Sequence, residues 1–191
     1  MAPQIATLIA WVLWVISWIV AASWADRAAR RPARGEEWLY RVLTIAGALL
    51  LFIGHQRPDR AADQLWLLGP AGDWAMFALV LVGLAFAWWA RIYLGRLWSS
   101  SVTRKADHHV VDTGPYAIVR HPIYTGLLLS IAATVAEQGT TRAVLGLLAF
   151  IAGFWVKARL EERFLSAELG VGAYEAYRRR VAMLIPFGPH G

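Results

Sequence analysis

Residues 108–126 read HHVVDTGPYAIVRHPIYTG, a polar, turn-forming, histidine-bearing stretch wedged between two strongly apolar runs. Pro122 lacks a backbone donor but suits the first turn of a helix, so His121-Pro122 reads as a cap followed by a helix start. The free N–H groups at such a start attract an anion. Arg120 stands beside it with a positive charge, and Tyr116, His121 and Tyr124 add aromatic, hydrogen-bonding surface within a few residues. Polar chemistry of this density between apolar runs marks a candidate site.

The runs on either side decide the fold class. Of the 191 residues 58% are hydrophobic, eleven are Trp, and the apolar residues fall in long blocks rather than on periodic faces. That pattern predicts an all-α, polytopic integral membrane protein. The absence of Cys excludes disulfides, thiolate nucleophiles and Cys-ligated zinc. A net charge of +6 fits Lys- and Arg-rich cytoplasmic loops facing anionic lipid headgroups. Nucleic acid is not an expected partner, because no basic stripe alternates with exposed aromatics.

Five apolar runs are expected to cross the bilayer. The first spans Pro3 to Ala25 and carries Trp11, Trp14, Trp18 and Trp24; with no basic stretch ahead of it, it reads as a span and not as a cleaved signal peptide. The second runs from Trp38 to Gly54. A third extends from Leu65 to Leu94, with Pro70, Gly72 and Asp73 interrupting its start and Asp73 as its cap. Ile123 to Ala136 and Ala143 to Val156, each short for a bilayer, then form a tight antiparallel hairpin about Gly139 that spans or nearly spans the membrane. Beyond it the tail turns amphipathic through Lys157, Arg159, Glu161, Glu162 and Arg163, breaks at Gly170 and Gly172, and resumes as a short interfacial helix from Ala173 to Val181.

Sixteen of the nineteen basic residues fall on one side of these five crossings. The positive-inside rule then puts the N-terminus outside and the central segment and tail in the cytoplasm. No internal repeat divides the chain, so residues 1–191 read as a single membrane domain.

The hairpin brings the two polar stretches to one level. His121 lies eighteen residues before Gly139 and Lys157 eighteen after. At a helical rise of about 1.5 Å per residue, Glu161 comes about one turn beyond, beside Arg120. A helix N-terminus, an Arg, a His, a Lys, two Tyr and two carboxylates therefore converge at the cytoplasmic interface, an array suited to a zwitterionic or cationic ligand with an anionic end.

TGPYAIVRHPIYTG, followed about thirty residues later by KARLEERFL and then by GVGAYEAYRRRVAMLIPF, resembles the isoprenylcysteine carboxyl methyltransferase family and its phospholipid N-methyltransferase relatives, from Arg91 to Phe187. The resemblance implies S-adenosylmethionine as methyl donor, bound on the cytosolic face by residues 97–191, and a lipophilic acceptor entering from the bilayer into a groove formed by the helices of residues 1–96. Carried over by position, the family's donor contacts fall on His108, His109, Val110, Val111, Tyr116, His121, Pro122, Ile123, Tyr124 and Glu161. The family's substrate-side Arg coincides with Lys157, which keeps the charge but lacks the planar fork that grips a carboxylate.

On this reading the Pro122 helix start with Arg120 or His108 receives the donor's carboxylate, Glu161 takes its ribose hydroxyls or amine, and Tyr116 packs on the adenine. Lys157 or Arg159 orients the acceptor. A carboxylate or thiolate acceptor needs no strong base; an amine or alcohol would need one, with His121 or Glu162 as candidates. Two adjacent histidines without a helical partner make a poor metal site, so no metal is expected. Arg178 to Arg180 are expected at lipid phosphates. GPY, RHPxY and LIP elements also resemble membrane sterol or enone reductases that use NADPH, which form the competing enzyme class; a non-catalytic membrane scaffold is the competing non-enzyme class.

Overall fold

A computed structural model describes residues 2–24, 34–53, 63–95, 98, 111–169 and 171–188. The described residues are almost entirely helical. In chain order they form α1 (Pro3–Ala21), extended by a 3-10 turn (Ala22–Trp24), α2 (Arg34–Phe52), α3 (Gly69–Leu94), α4 (Pro115–Ile118), α5 (Pro122–Gln138), α6 (Thr141–Leu169) and α7 (Val171–Arg180). Three of them, α1, α3 and α6 from Thr141 to Ala167, are long and apolar enough to cross a membrane. Side chains such as Leu13, Ile19, Val82, Leu148 and Ile151 stand exposed on them. The chain is a multi-pass membrane protein.

Local chemistry sets the ends. Pro3, Pro70, Pro115 and Pro122 each sit in the first turn of a helix, where the missing N–H costs nothing. α5 stops at Gly139, whose φ of 61° is the left-handed conformation that only Gly adopts freely. The Gly139 carbonyl then accepts the Leu65 N–H at 2.7 Å, and Gln64 Nε2 reaches the Gln138 and Gly139 carbonyls at 3.0 Å. The expected turn thus forms, held by the segment that leads into α3.

Three expectations need correction. Asp73 does not cap α3: Leu68 occupies that position without a side-chain bond, and Asp73, inside the helix, accepts from Gln4 Nε2 at 3.0 Å. Gly172 lies within α7 and does not interrupt it. The hairpin is not a tight pair either. α5 packs chiefly along α3, and α6 chiefly along α2. Small residues explain that choice, since they let backbones approach where no hydrophobic force separates helix from lipid. A Cβ on Gly83 would lie 2.5 Å from the Gly126 carbonyl, and one on Gly126 2.5 Å from the Gly83 carbonyl. At the other crossing a Cβ on Gly47 would meet the Gly146 carbonyl at 3.0 Å.

Between these pairs lies the core of Leu51, Val80, Leu84, Tyr124, Ile131, Phe150 and Phe154. Trp11 Nε1 donates to Thr134 Oγ1 at 3.0 Å and ties α1 to α5. Arg91, fully buried, closes the end of α1: its guanidinium donates to the Ala21 carbonyl at 2.7 Å and to the Gly95 carbonyl at 2.8 Å, and lies 4.3 Å over the Trp98 ring.

The α3–α5 crossing leaves no room for a side chain at Gly126. Gly126→Val should destabilise the detergent-solubilised protein by on the order of 2–3 kcal/mol, whereas Gly172→Ala, with nothing within 4 Å of the added methyl, should leave the melting temperature unchanged or slightly raised. Thermal melts of both variants beside the parent check this.

Candidate functional site

The site forms where the start of α5 meets the second half of α6. Leu184, Met183 and Ala182 bring the chain after α7 back against residues 119–125. Arg120 N–H donates to the Ala182 carbonyl at 2.8 Å, His121 N–H to the Met183 carbonyl at 3.1 Å, and Thr125 Oγ1 to the Leu184 carbonyl at 2.6 Å. Val119 and Ala182 form a parallel bridge. Tyr177 Oη donates to the Tyr116 carbonyl at 2.8 Å. The VAMLIPF tail is therefore a strap across the RHP segment, so two of the stretches that carry the resemblance meet in space.

Behind the strap is a buried ionic cluster. Arg120 Nε donates to Glu162 Oε1 at 2.7 Å, with side chains 1% and 4% exposed, so a full ion pair is held out of water. Its Nη1 donates to the Arg178 and Val181 carbonyls. Charges this deep persist only when each is paired and hydrogen-bonded, and here the pairing joins α5, α6 and α7. Arg178 Nε adds a longer contact to Glu162 Oε2 at 3.6 Å.

His121 occupies the cap position of α5 but does not cap it. Its ring turns to α6 instead, with Nε2 3.3 Å from Glu162 Oε1 and Nδ1 3.4 Å from Glu161 Oε2. Burial pulls its pKa down, but the hydrogen bonds to Glu161 and Glu162 outweigh burial and hold it above the ordinary imidazole value. Tyr124 Oη donates to Glu161 Oε1 at 2.6 Å. His121, Tyr124 and Phe154 stack in series, with centroids 5.4 and 5.1 Å apart. Lys157 Nζ lies 5.2 Å from the centre of the Tyr124 ring and 5.5 Å from that of Tyr40 on α2.

Arg120, His121, Tyr124, Lys157, Glu161 and Glu162 therefore share one cluster, as the level-matching about Gly139 implied. Pro122 is fully buried beneath it, and Ile123 packs into the core. Tyr116 is buried beside the end of α3, its hydroxyl 3.5 Å from the Ala90 carbonyl, and burial pushes its phenol pKa well above the usual range. Val111 is half-buried. His108, His109 and Val110 lie outside the described residues.

Arg159 takes a different side of α6 from Lys157. It stacks on Trp155 at 5.5 Å and, with Glu162, Arg163, Ser166, Ala167, Glu175 and Arg178, lines a cleft of about 380 Å³ beside α7. Two residues were missed from sequence. Tyr40 lay inside a run read only as a span, and Arg178 was assigned to lipid; one faces Lys157, the other Glu162. The signal for the first was available: an acidic pair, Glu36-Glu37, directly ahead of a Tyr at the head of an apolar helix.

Removing one partner of the buried pair should be costly. Glu162→Gln should lower stability by about 3 kcal/mol by stranding Arg120, read from melting in detergent. His121 adds a pH dependence of fixed sign. Its raised pKa gives a stabilisation fully present below the unfolded value of about 6.5 and lost as pH rises through the higher folded value. The melting temperature of the parent relative to His121→Gln should accordingly fall as pH is raised from 6 toward 9.

With this geometry established, comparison with known proteins becomes specific. The sequence profile of the isoprenylcysteine carboxyl methyltransferase (ICMT) family matches residues 76–167, the stretch holding most of α3, all of α4 and α5 and most of α6. The chain is 31% identical over 148 residues to the cobalt-zinc-cadmium resistance protein CzcN of Cupriavidus metallidurans, covering 76% of this chain and 60% of that protein. It is 48% identical over 71 residues to methanethiol S-methyltransferase 2 of Bradyrhizobium diazoefficiens, covering 37% of this chain and 26% of that one. To the nickel-cobalt-cadmium resistance protein NccN of Alcaligenes xylosoxydans xylosoxydans it is 27% identical over 151 residues, 78% of this chain and 63% of that protein. The chain thus spans less than two thirds of the length of each of these relatives. Residues 76–167, which carry both halves of the buried cluster, thus match the isoprenylcysteine carboxyl methyltransferase family.

Proposed function

We propose that the protein is a membrane methyltransferase that transfers a methyl group from S-adenosylmethionine to a lipophilic acceptor at the cytosolic face of the bilayer. The observation that carries this reading is the buried cluster of Arg120, His121, Tyr124, Glu161 and Glu162 within the family-matching segment. A relative named as a thiol methyltransferase supports the reaction class.

The residues present suit that donor. It presents a sulfonium, an ammonium and ribose hydroxyls, and the site offers two carboxylates. Glu162 Oε2 is buried without a hydrogen-bond partner among the described residues, and Glu162 also borders the cleft beside α7. Arg159 and Arg163 in that cleft complement the donor's carboxylate. When bound, the donor supplies an already activated methyl group, so the protein's work is alignment, exclusion of water and stabilisation of charge.

Each side chain then has a task that follows from its position. Arg120 acts through Glu162, holding that carboxylate ionised and in place, and contacts no ligand itself. His121 and Tyr124 fix both oxygens of Glu161, so the carboxylate is aimed before the ligand arrives. Lys157, between the Tyr40 and Tyr124 rings, is the acceptor-side cation; Arg159, on another side of α6, belongs to the donor. On this reading α2 and α5 join the three longer helices as further crossings, and the sixteen-to-three split of basic residues supports an N-terminus outside and a site in the cytosol.

Incubating the purified protein with methyl-labelled donor and a total lipid extract, then identifying what becomes labelled, tests the proposal. Labelled lipophilic product should form with the parent and fall by about two orders of magnitude with Glu161→Ala. S-adenosylhomocysteine should bind and NADPH should not. NADPH binding without methyl transfer would overturn the reading.

A further inference from the structure

The strap that closes the ionic cluster does not end at the cluster. Val119 and Ala182 pair in parallel, and the bonds that follow keep the strap running in the direction of α5: His121 N–H donates to the Met183 carbonyl, and Thr125 Oγ1 to the Leu184 carbonyl. α5 packs along α3, which is long and apolar enough to cross the membrane, and Met183 and Leu184 join the apolar core between the helices. Thr125 lies fourteen residues before Gly139, about 21 Å along the helix, which is less than the roughly 30 Å thickness of a bilayer's hydrocarbon. The strap therefore leads residues 185–188 toward lipid and not away from it.

What the strap carries there is a turn suited to that surrounding. The Gly188 N–H donates to the Ile185 carbonyl at 2.9 Å and closes a β-turn with Pro186 and Phe187 at its centre. Pro186 has no N–H, so the turn presents fewer backbone groups that lipid would leave unsatisfied. Phe187 has a φ of 61° and is, among the described residues, the only one other than Gly with a positive φ. Gly or Asn is the usual occupant of that turn position, so Phe holds it under strain. Its side chain is nevertheless fully exposed, and that of Ile185 is 72% exposed. A strained aromatic residue left bare by its own chain points to a contact outside that chain.

We infer that the Ile185–Gly188 turn is a lipid anchor: it seats Phe187 and Ile185 at the headgroup–acyl boundary of the leaflet on the cluster's side, and that contact holds the strap shut over Arg120, His121 and Glu162. The surroundings fit a lipid surface. Arg179 and Arg180, exposed at the end of α7 just ahead of the strap, suit lipid phosphates. Cationic side chains followed by an aliphatic and an aromatic one are the composition of an interfacial segment. Ile118, next to the bridged Val119, is exposed as well. The coupling to the cluster runs through the backbone: the Val181 carbonyl accepts from Arg120 Nη1, and the Ala182 and Met183 carbonyls accept from the N–H groups of Arg120 and His121. A strap that lifts removes those acceptors together. The inference goes beyond the methyltransferase reading and holds whatever the site binds.

The test uses the full chain in lipid nanodiscs. The sequence has no cysteine, so a bimane on Phe187→Cys reports this position alone. Phospholipid carrying a nitroxide high on its acyl chain should remove most of the label's emission, and iodide in the buffer should remove little. Stronger quenching by iodide than by the lipid nitroxide, or no quenching by either, as a second copy seated on the turn would give, overturns the anchor. The coupling is read from Ala182→Cys, a position 2% exposed that a water-soluble maleimide reaches when the strap lifts. Adding Phe187→Gly should raise the labelling rate about fivefold, whereas adding Phe187→Trp, which keeps an interfacial aromatic, should leave it at that of Ala182→Cys alone. Glycine also relieves the strained φ, so an idle Phe187 predicts the opposite sign. Labelling unchanged or slowed by Phe187→Gly would overturn the claim that lipid holds the strap.

Discussion

The pair between Arg120 and Glu162 is the contact on which the rest of the site depends. A guanidinium and a carboxylate buried to within a few per cent of complete exclusion lose several kcal/mol of hydration each, and recover it only while every remaining donor finds a partner. Arg120 meets that condition by donating to the Arg178 and Val181 carbonyls, so the ion pair cannot form without the end of α7 and the strap that follows. Once it forms, Glu162 is fixed, His121 is drawn between the two carboxylates, and Glu161 is presented on the next position of α6. One electrostatic requirement thus orders three segments far apart in sequence.

The helix packing below supplies a rigid base for that arrangement. Close backbone approach at Gly83–Gly126 and Gly47–Gly146 commits α5 to α3 and α6 to α2. A hairpin closed on itself would have left α2 no role near the site. By spreading the two arms, the glycines admit the first turns of α2 beside Lys157, so that Tyr40 joins a cluster otherwise built from the second half of the chain. Helix α2 thereby meets the family-matching segment beside Lys157.

Much of this was legible in residue order. Pro122 announced the start of α5, Gly139 its end, and equal spacing about Gly139 put His121, Lys157 and Glu161 at one level, because helical rise is nearly constant. Side-chain direction was not legible. Whether His121 caps its helix or turns to α6 depends on the Glu161–Glu162 pair across the gap, and Arg159 parts from Lys157 because two positions along a helix rotate a side chain by about 200°. The strap was hidden for a related reason: its bonds run through the carbonyls of Arg178 and Val181 to Leu184, which any sequence would offer. The glycine crossings were passed over because a Gly within an apolar run reads as composition until its neighbour is known.

Because the chain has no cysteine, the strap can be tested directly with an introduced pair. Val119 and Ala182 are bridged neighbours with both side chains buried, at a spacing of the kind a disulfide accepts. The measurement is the rate of disulfide formation in Val119→Cys/Ala182→Cys under mild oxidation, with and without Glu162→Leu. The account predicts rapid, near-complete cross-linking in the parent background and its loss when Glu162 is removed. Slow or absent cross-linking in the parent, or cross-linking indifferent to Glu162, would contradict it.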